Sequence, residues 1–152
     1  MKQLLALALF LILSSAAASA QKVEAQPPSG NTTSPSDAAA RTATDKLVAK
    51  YTLNADQAKQ MYTIQQRKER NLGQLESLKT SSRSHYLAKL ESVQKGTLAS
   101  IRRILQTKEQ VALYQKTQTE VRTQRAAKRK ELAGKNLPKE DVQAALLEIY
   151  AE

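Results

Sequence analysis

The sequence predicts an all-α protein in which a signal peptide and a flexible linker precede long helices in an extended helical-hairpin bundle. Three observations carry that prediction. After Asp37, glycine occurs only at Gly73, Gly96 and Gly134 and proline only at Pro138, while Ala, Leu, Gln, Lys, Arg and Glu dominate. Apolar residues in this region recur at three- and four-residue intervals, the period of a helix face and not of a strand. Cap-forming residues stand just ahead of several of these runs: Ser36, Asn54 and Thr107.

The opening MKQLLALALFLILSSAAASA combines Lys2, an apolar run from Leu4 to Leu13 and the small-residue site Ala18-Ser19-Ala20. It reads as a secretory signal peptide cleaved after Ala20, leaving 132 residues from Gln21 and a periplasmic destination. No cysteine is present to carry a lipid, form a disulfide or supply a thiolate, so fold stability is expected to rest on packing. Residues 21–36, QKVEAQPPSGNTTSPS, have the composition of a flexible tether.

Residues 37–152 read as a single helical domain. A first helix is expected over about 37–51, with Ser36 as its cap and Ala43, Leu47 and Tyr51 on one stripe. A second, about 55–78, begins with Ala58, Met61, Tyr62 and Ile64 apolar. It turns polar through Gln65–Asn71 and resumes its face at Leu72, Leu75 and Leu78. Lys79–His85 is a turn candidate. A third helix, about 86–105, carries a wide stripe from Leu87 to Leu105. In the fourth, about 108–133, Val111, Tyr114, Val121 and Leu132 form a near-heptad seam that Gln118 and Arg125 interrupt. Gly134 is the expected C-cap. Pro138 opens a last helix, about 138–151, with Val142, Ala145, Leu146, Ile149 and Tyr150 on one face.

Two helix starts have the same construction. With Asn54 as N-cap, Gln57 falls at the third helical position and can reach back to the cap's own N–H, a capping box, while Leu53 and Ala58 have the spacing of a hydrophobic staple. At the second start Thr107 is the cap, Gln110 its reciprocal partner and Val111 the inner staple position, with the leucine at Leu105. Every residue of both stretches therefore has a structural role before any chemistry is invoked.

Without the signal peptide, 23 basic side chains face 14 acidic ones, a net charge of +9. Residues 65–130 alone carry +11, with Arg67, Lys68 and Arg70 in the polar stretch of the second helix and Arg122, Arg125 and Arg129 at three- and four-residue spacing in the fourth. Like charges at the spacing of Arg122, Arg125 and Arg129 repel, which argues for a use beyond solubility; all six are the candidate binding face, with a solubilising solvated face as the alternative. Export removes such a chain from nucleic acid and leaves acidic protein segments, anionic lipid or envelope polymers as counter-surfaces. The last helix is acidic, with Glu140, Asp141, Glu148 and Glu152 against Lys139; folded back on the basic end of the fourth it would neutralise that charge, a structural alternative to a binding face.

Leu-Asn-Ala-Asp-Gln at 53–57, half repeated in RRILQTKEQVALYQ around Leu105, Thr107 and Gln110, resembles the LTxxQ-motif periplasmic proteins, the Spy- and CpxP-like envelope-stress family. Asn replaces Thr in the first copy, and one residue is inserted between Leu105 and Thr107 in the second. The resemblance spans 37 to about 132. It implies an elongated all-α homodimer shaped as a shallow cradle, which binds unfolded or envelope proteins without ATP or restrains an envelope sensor. The zinc link of some relatives does not carry over, because His85 is the single histidine and no closed nitrogen–sulfur site can be assembled in one subunit. No cofactor is expected. Without a Gly-rich phosphate loop, a cysteine or paired acids, no residue can be assigned as base, nucleophile or oxyanion donor, so the expectation is a non-enzyme. The alternative is a basic protein docking on anionic lipid or envelope polymer.

Overall fold

A computed structural model describes residues 34–152, so the expected signal peptide and nearly all of the expected linker lie outside the described residues. The described chain is all-helical: α1 (Pro35–Tyr51), α2 (Ala55–Ser81), α3 (Arg83–Ile104), α4 (Lys108–Leu132) and α5 (Lys139–Glu148). Helix α1 packs along α2, α2 along α3, and α5 touches both α3 and α4. Among the described residues no helix is long and apolar enough to cross a membrane.

Helix α1 starts two residues earlier than expected. Ser34, not Ser36, is the cap, its hydroxyl accepting from the Asp37 amide at 3.2 Å, and Pro35 takes the first turn, where a missing N–H costs nothing. The inward stripe is Ala40, Thr44, Leu47 and Tyr51, with Ala43 only half-buried. Asp37 ties α1 to α2, where the Tyr62 hydroxyl and the Gln66 amide both donate to it and Arg41 pairs with it at 3.0 Å. Those donors, Tyr62 first, hold the Asp37 carboxyl below its ordinary range. The helix ends where Thr52 turns left-handed, at φ 49°, and its N–H closes on the Val48 carbonyl.

The expected turn over Lys79–His85 is reduced to one residue. Ser82 (φ −158°, ψ 88°) ends α2 by donating to the Leu78 carbonyl at 3.0 Å and starts α3 by accepting from the Tyr86 amide at 2.9 Å. His85 is therefore an exposed first-turn residue of α3 and caps nothing. At the end of α4, Gly134 is not left-handed; Asn136 is, at φ 47°. Asn shares with Gly a tolerance for that region, because its short polar side chain can satisfy the local backbone. Helix α5 stops at Glu148, three residues short of expectation, and its most buried residue is Leu147, which the expected stripe omitted.

The core lies at the end of the bundle where α1 stops, α2 begins, α3 stops and α4 begins. Leu47, Tyr51, Leu53, Met61, Ile64, Ile101, Ile104 and Leu105 form it, with Val111, Leu113 and Tyr114 packed against it. Burying such side chains is worth roughly 1.5–3 kcal/mol each before entropy is charged. Burial pushes the Tyr51 phenol up to about 12, and its hydroxyl finds no hydrogen-bond partner among the described residues. The fold favours the neutral phenol, so its contribution is whole below the ordinary value of 10.0 and is lost as pH climbs from there toward about 12. Absorbance titration near pH 11 should show buried tyrosines that ionise only together with loss of helix, and Tyr51→Phe should shrink that late step to the part carried by Tyr150.

Candidate functional site

Both capping boxes form. The Asn54 side chain accepts from the Gln57 amide at 2.9 Å while the Asn54 amide donates to Gln57 Oε1 at 3.1 Å. Thr107 Oγ1 likewise accepts from the Gln110 amide at 3.2 Å, and the Thr107 and Gln106 amides donate to Gln110 Oε1 at 3.2 and 2.9 Å. The two boxes then meet. Gln57 Nε2 donates to Gln110 Oε1 at 3.0 Å and Gln110 Nε2 donates to Gln57 Oε1 at 3.1 Å, a closed amide pair between residues 53 apart in sequence. The second N–H of each amide reaches the end of the helix preceding the other box. Gln57 donates to the Ile104 carbonyl at 2.7 Å, and Gln110 to the Thr52 carbonyl at 3.4 Å.

Each glutamine thus serves its own helix N-terminus through Oε1 and another helix's C-terminus through Nε2. Four helix ends are held by two side chains that are only 2% and 6% exposed, and each donor and acceptor of the pair is used. Leu53 and Leu105, the leading residues of the two motif copies, are buried around it. Nothing in the spacing showed that the copies would face each other; the buried, equivalent position of two N3 glutamines is visible only once the helices are placed.

The six candidate binding residues do not share one surface. Arg67 is exposed and reaches across to Ser100 Oγ of α3 at 2.7 Å. Arg70 is exposed beside Ser34, Asp37 and Gln66 at the start of α1. Arg122 and Arg129 stand exposed on α4, Arg122 bonding Thr119 of its own helix at 3.0 Å. Lys68 and Arg125 turn inward instead, because residues 149–152 leave the helix after α5 and lie between them.

That short segment is held by side chains from several helices. Gln94 donates to the Leu147 carbonyl in the last turn of α5 at 3.0 Å, and within the segment Arg125 Nε donates to the Ile149 carbonyl at 2.9 Å and Gln118 to the Ala151 carbonyl at 3.1 Å. Lys50 donates to the Glu152 carbonyl, and burial lowers that lysine's pKa. The Glu152 carboxylate receives Lys68 Nζ at 2.8 Å, the Gln65 amide at 2.8 Å and the Tyr150 hydroxyl at 2.8 Å. Burial, with the Glu152 carboxylate beside it, raises the Tyr150 phenol far above its ordinary value.

The acidic end does not pair with the cations of α4. It pairs elsewhere: Glu152 with Lys68 of α2 and Asp141 with Arg83 at the start of α3, at 2.7 Å. What Arg125 and Gln118 of α4 hold is backbone carbonyl. Among the described residues no three His, Asp or Glu side chains converge on a point that could hold a metal ion, and Leu137 is the only exposed large hydrophobic residue.

Compared with protein-family models, with curated proteins and with solved structures, the chain matches none.

The amide pair makes a quantitative prediction. Gln57→Ala strands the Ile104 carbonyl, the Asn54 amide and one face of Gln110, so it should cost on the order of 3 kcal/mol, against ~1 kcal/mol for loss of a cap alone. Gln110→Ala should cost a similar amount. In chemical denaturation the double variant should fall short of the summed single losses by roughly 1–3 kcal/mol; additivity within about 0.5 kcal/mol would mean that the two amides act as separate caps.

Proposed function

We propose that this is an exported, periplasmic, non-enzymatic helical protein of the LTxxQ type, acting as an ATP-independent chaperone or stress adaptor on unfolded or envelope proteins. The observation that carries the reading is the closed Gln57–Gln110 pair. It joins the two motif copies into one unit, so the motif is an integral part of the architecture and not two unrelated helix starts. The cradle shape, the homodimer and a sensor partner belong to the same proposal.

In this reading the exposed cations Arg67, Arg122 and Arg129 serve early encounter with acidic clients, and half-buried apolar side chains such as Leu72, Leu90 and Val93 serve retention. Purified chain beginning at Gln21 should suppress aggregation of a chemically unfolded client at near-stoichiometric ratio without ATP, and less well at high salt. Absence of suppression at any ratio overturns the chaperone reading. Light scattering on the same protein tests the dimer.

The exposed Arg122 and Arg129 on α4 favour a second reading, docking on anionic lipid or envelope polymer. Sedimentation with liposomes should then require anionic lipid and be abolished by Arg122→Glu with Arg129→Glu, a pair that spares Arg125 and the segment it holds. Binding indifferent to lipid charge counts against this reading.

A further inference from the structure

The apolar stripes of α2 and α4 are each broken by polar residues, and the breaks have one explanation. Gln65 and Lys68 in α2, and Gln118 and Arg125 in α4, all contact residues 149–152. A stripe designed only to pack helix on helix has no use for a buried glutamine; Gln65 is fully buried, and its amide is spent on the Glu152 carboxylate. These polar side chains build a seat for a non-helical peptide segment.

The seat reads two kinds of feature. Arg125 and Gln118 take the carbonyls of residues 149 and 151, while Gln94 takes that of Leu147 in the last turn of α5; carbonyls at alternate positions are what a non-helical polypeptide presents. Sequence preference comes from the side chains between. Tyr150 lies against a cleft of about 170 Å³ walled by Leu72, Leu90 and Val93, and the carboxylate two residues on meets Lys68 and Gln65. The segment of this chain fits imperfectly. The cleft extends beyond Tyr150, and Gln65 Oε1 is buried without a donor among the described residues. A segment that reaches further into this cleft and supplies a donor to Gln65 gains contacts that this chain's own residues do not make.

We propose that residues 149–152 are a built-in stand-in for a partner: the same seat takes a non-helical segment of another protein bearing an aromatic residue two positions before a carboxylate. This rests on the protein-binding reading above and names its ligand class. A tethered segment acts at millimolar effective concentration, so an external one must overcome it.

The test is fluorescence anisotropy with a labelled peptide of sequence IYAE, matching residues 149–152, against the chain from Gln21 to Glu152 and against a chain ending at Glu148. The shortened chain should bind the peptide at least about ten-fold more tightly than the full one. A peptide with Gln in place of its last Glu, or Arg125→Ala in the shortened chain, should weaken binding. A shortened chain that keeps its helix content and cooperative melting but binds no tighter overturns the proposal. If shortening unfolds the protein, the full-length Glu152→Lys variant, which sets Lys68 against another cation, should gain peptide binding; no gain overturns it equally. Aggregation suppression is measured alongside. A shortened chain that binds no peptide yet suppresses aggregation unchanged refutes the seat and leaves the chaperone reading intact. Tight peptide binding without suppression by either chain supports the seat and removes that reading.

Discussion

Two buried side-chain amides, Gln57 and Gln110, hold the end of the bundle at which four helix termini meet. A helix end in an apolar setting is a liability, because its orphan N–H and C=O groups have left water without gaining a partner. Here the Thr52 and Ile104 carbonyls and the Asn54 and Thr107 amides are answered by two side chains that also answer each other. Because each glutamine depends on the other for its geometry, neither hairpin end can shift without stranding groups in the other. The apolar cluster of Leu47, Tyr51, Leu53, Ile104 and Leu105 closes around this arrangement. Burial supplies most of the free energy there, and the amides set the register in which burial occurs.

Away from that end the packing follows a different logic. Helix α4 meets the rest of the bundle largely through α5 and residues 149–152, and its polar residues Gln118 and Arg125 face that segment in place of another helix. The body is thus built with a place for a peptide that is not a helix. Charge has a narrower role than the composition suggests: Arg67, Arg122 and Arg129 remain outside, while Lys68 is drawn in by the Glu152 carboxylate, with Glu69 also at 3.8 Å. Backbone carbonyl recognition is what unites the interior contacts. It is the feature that lets one seat accommodate this chain's own segment and, by our proposal, a partner's.

Local features were legible in the residues. Asn54 with Gln57 and Thr107 with Gln110 form their capping boxes because a cap needs only residues three apart. The two helix ends that misled the reading did so through close substitutes: Ser34 and Ser36 are chemically equivalent caps two residues apart, and Asn136 can take the left-handed position for which Gly134 seemed made. The turn at Lys79–His85 shrank to Ser82 because a helix pair can change direction at one extended residue when both neighbouring turns keep their hydrogen bonds. The stretch from Ile149 to Glu152 carries a helical pattern, yet it leaves the helix, where its carbonyls find Arg125 and Gln118 in place of the next helical turn.

By itself, the sequence determined the all-helical class, the caps that start α2 and α4, and the positions at which their apolar stripes break. Each of these is set by residues within a turn or two of one another, so composition and spacing are enough to read them. Only the tertiary structure decided that the two glutamines pair, that the broken stripes face one segment, and that Lys68 and Arg125 point inward while Arg122 does not. Those contacts join residues from 24 to 87 positions apart. An amide or guanidinium carries no mark of which distant carbonyl it will meet, because that is settled by how whole helices pack and not by the residues beside it.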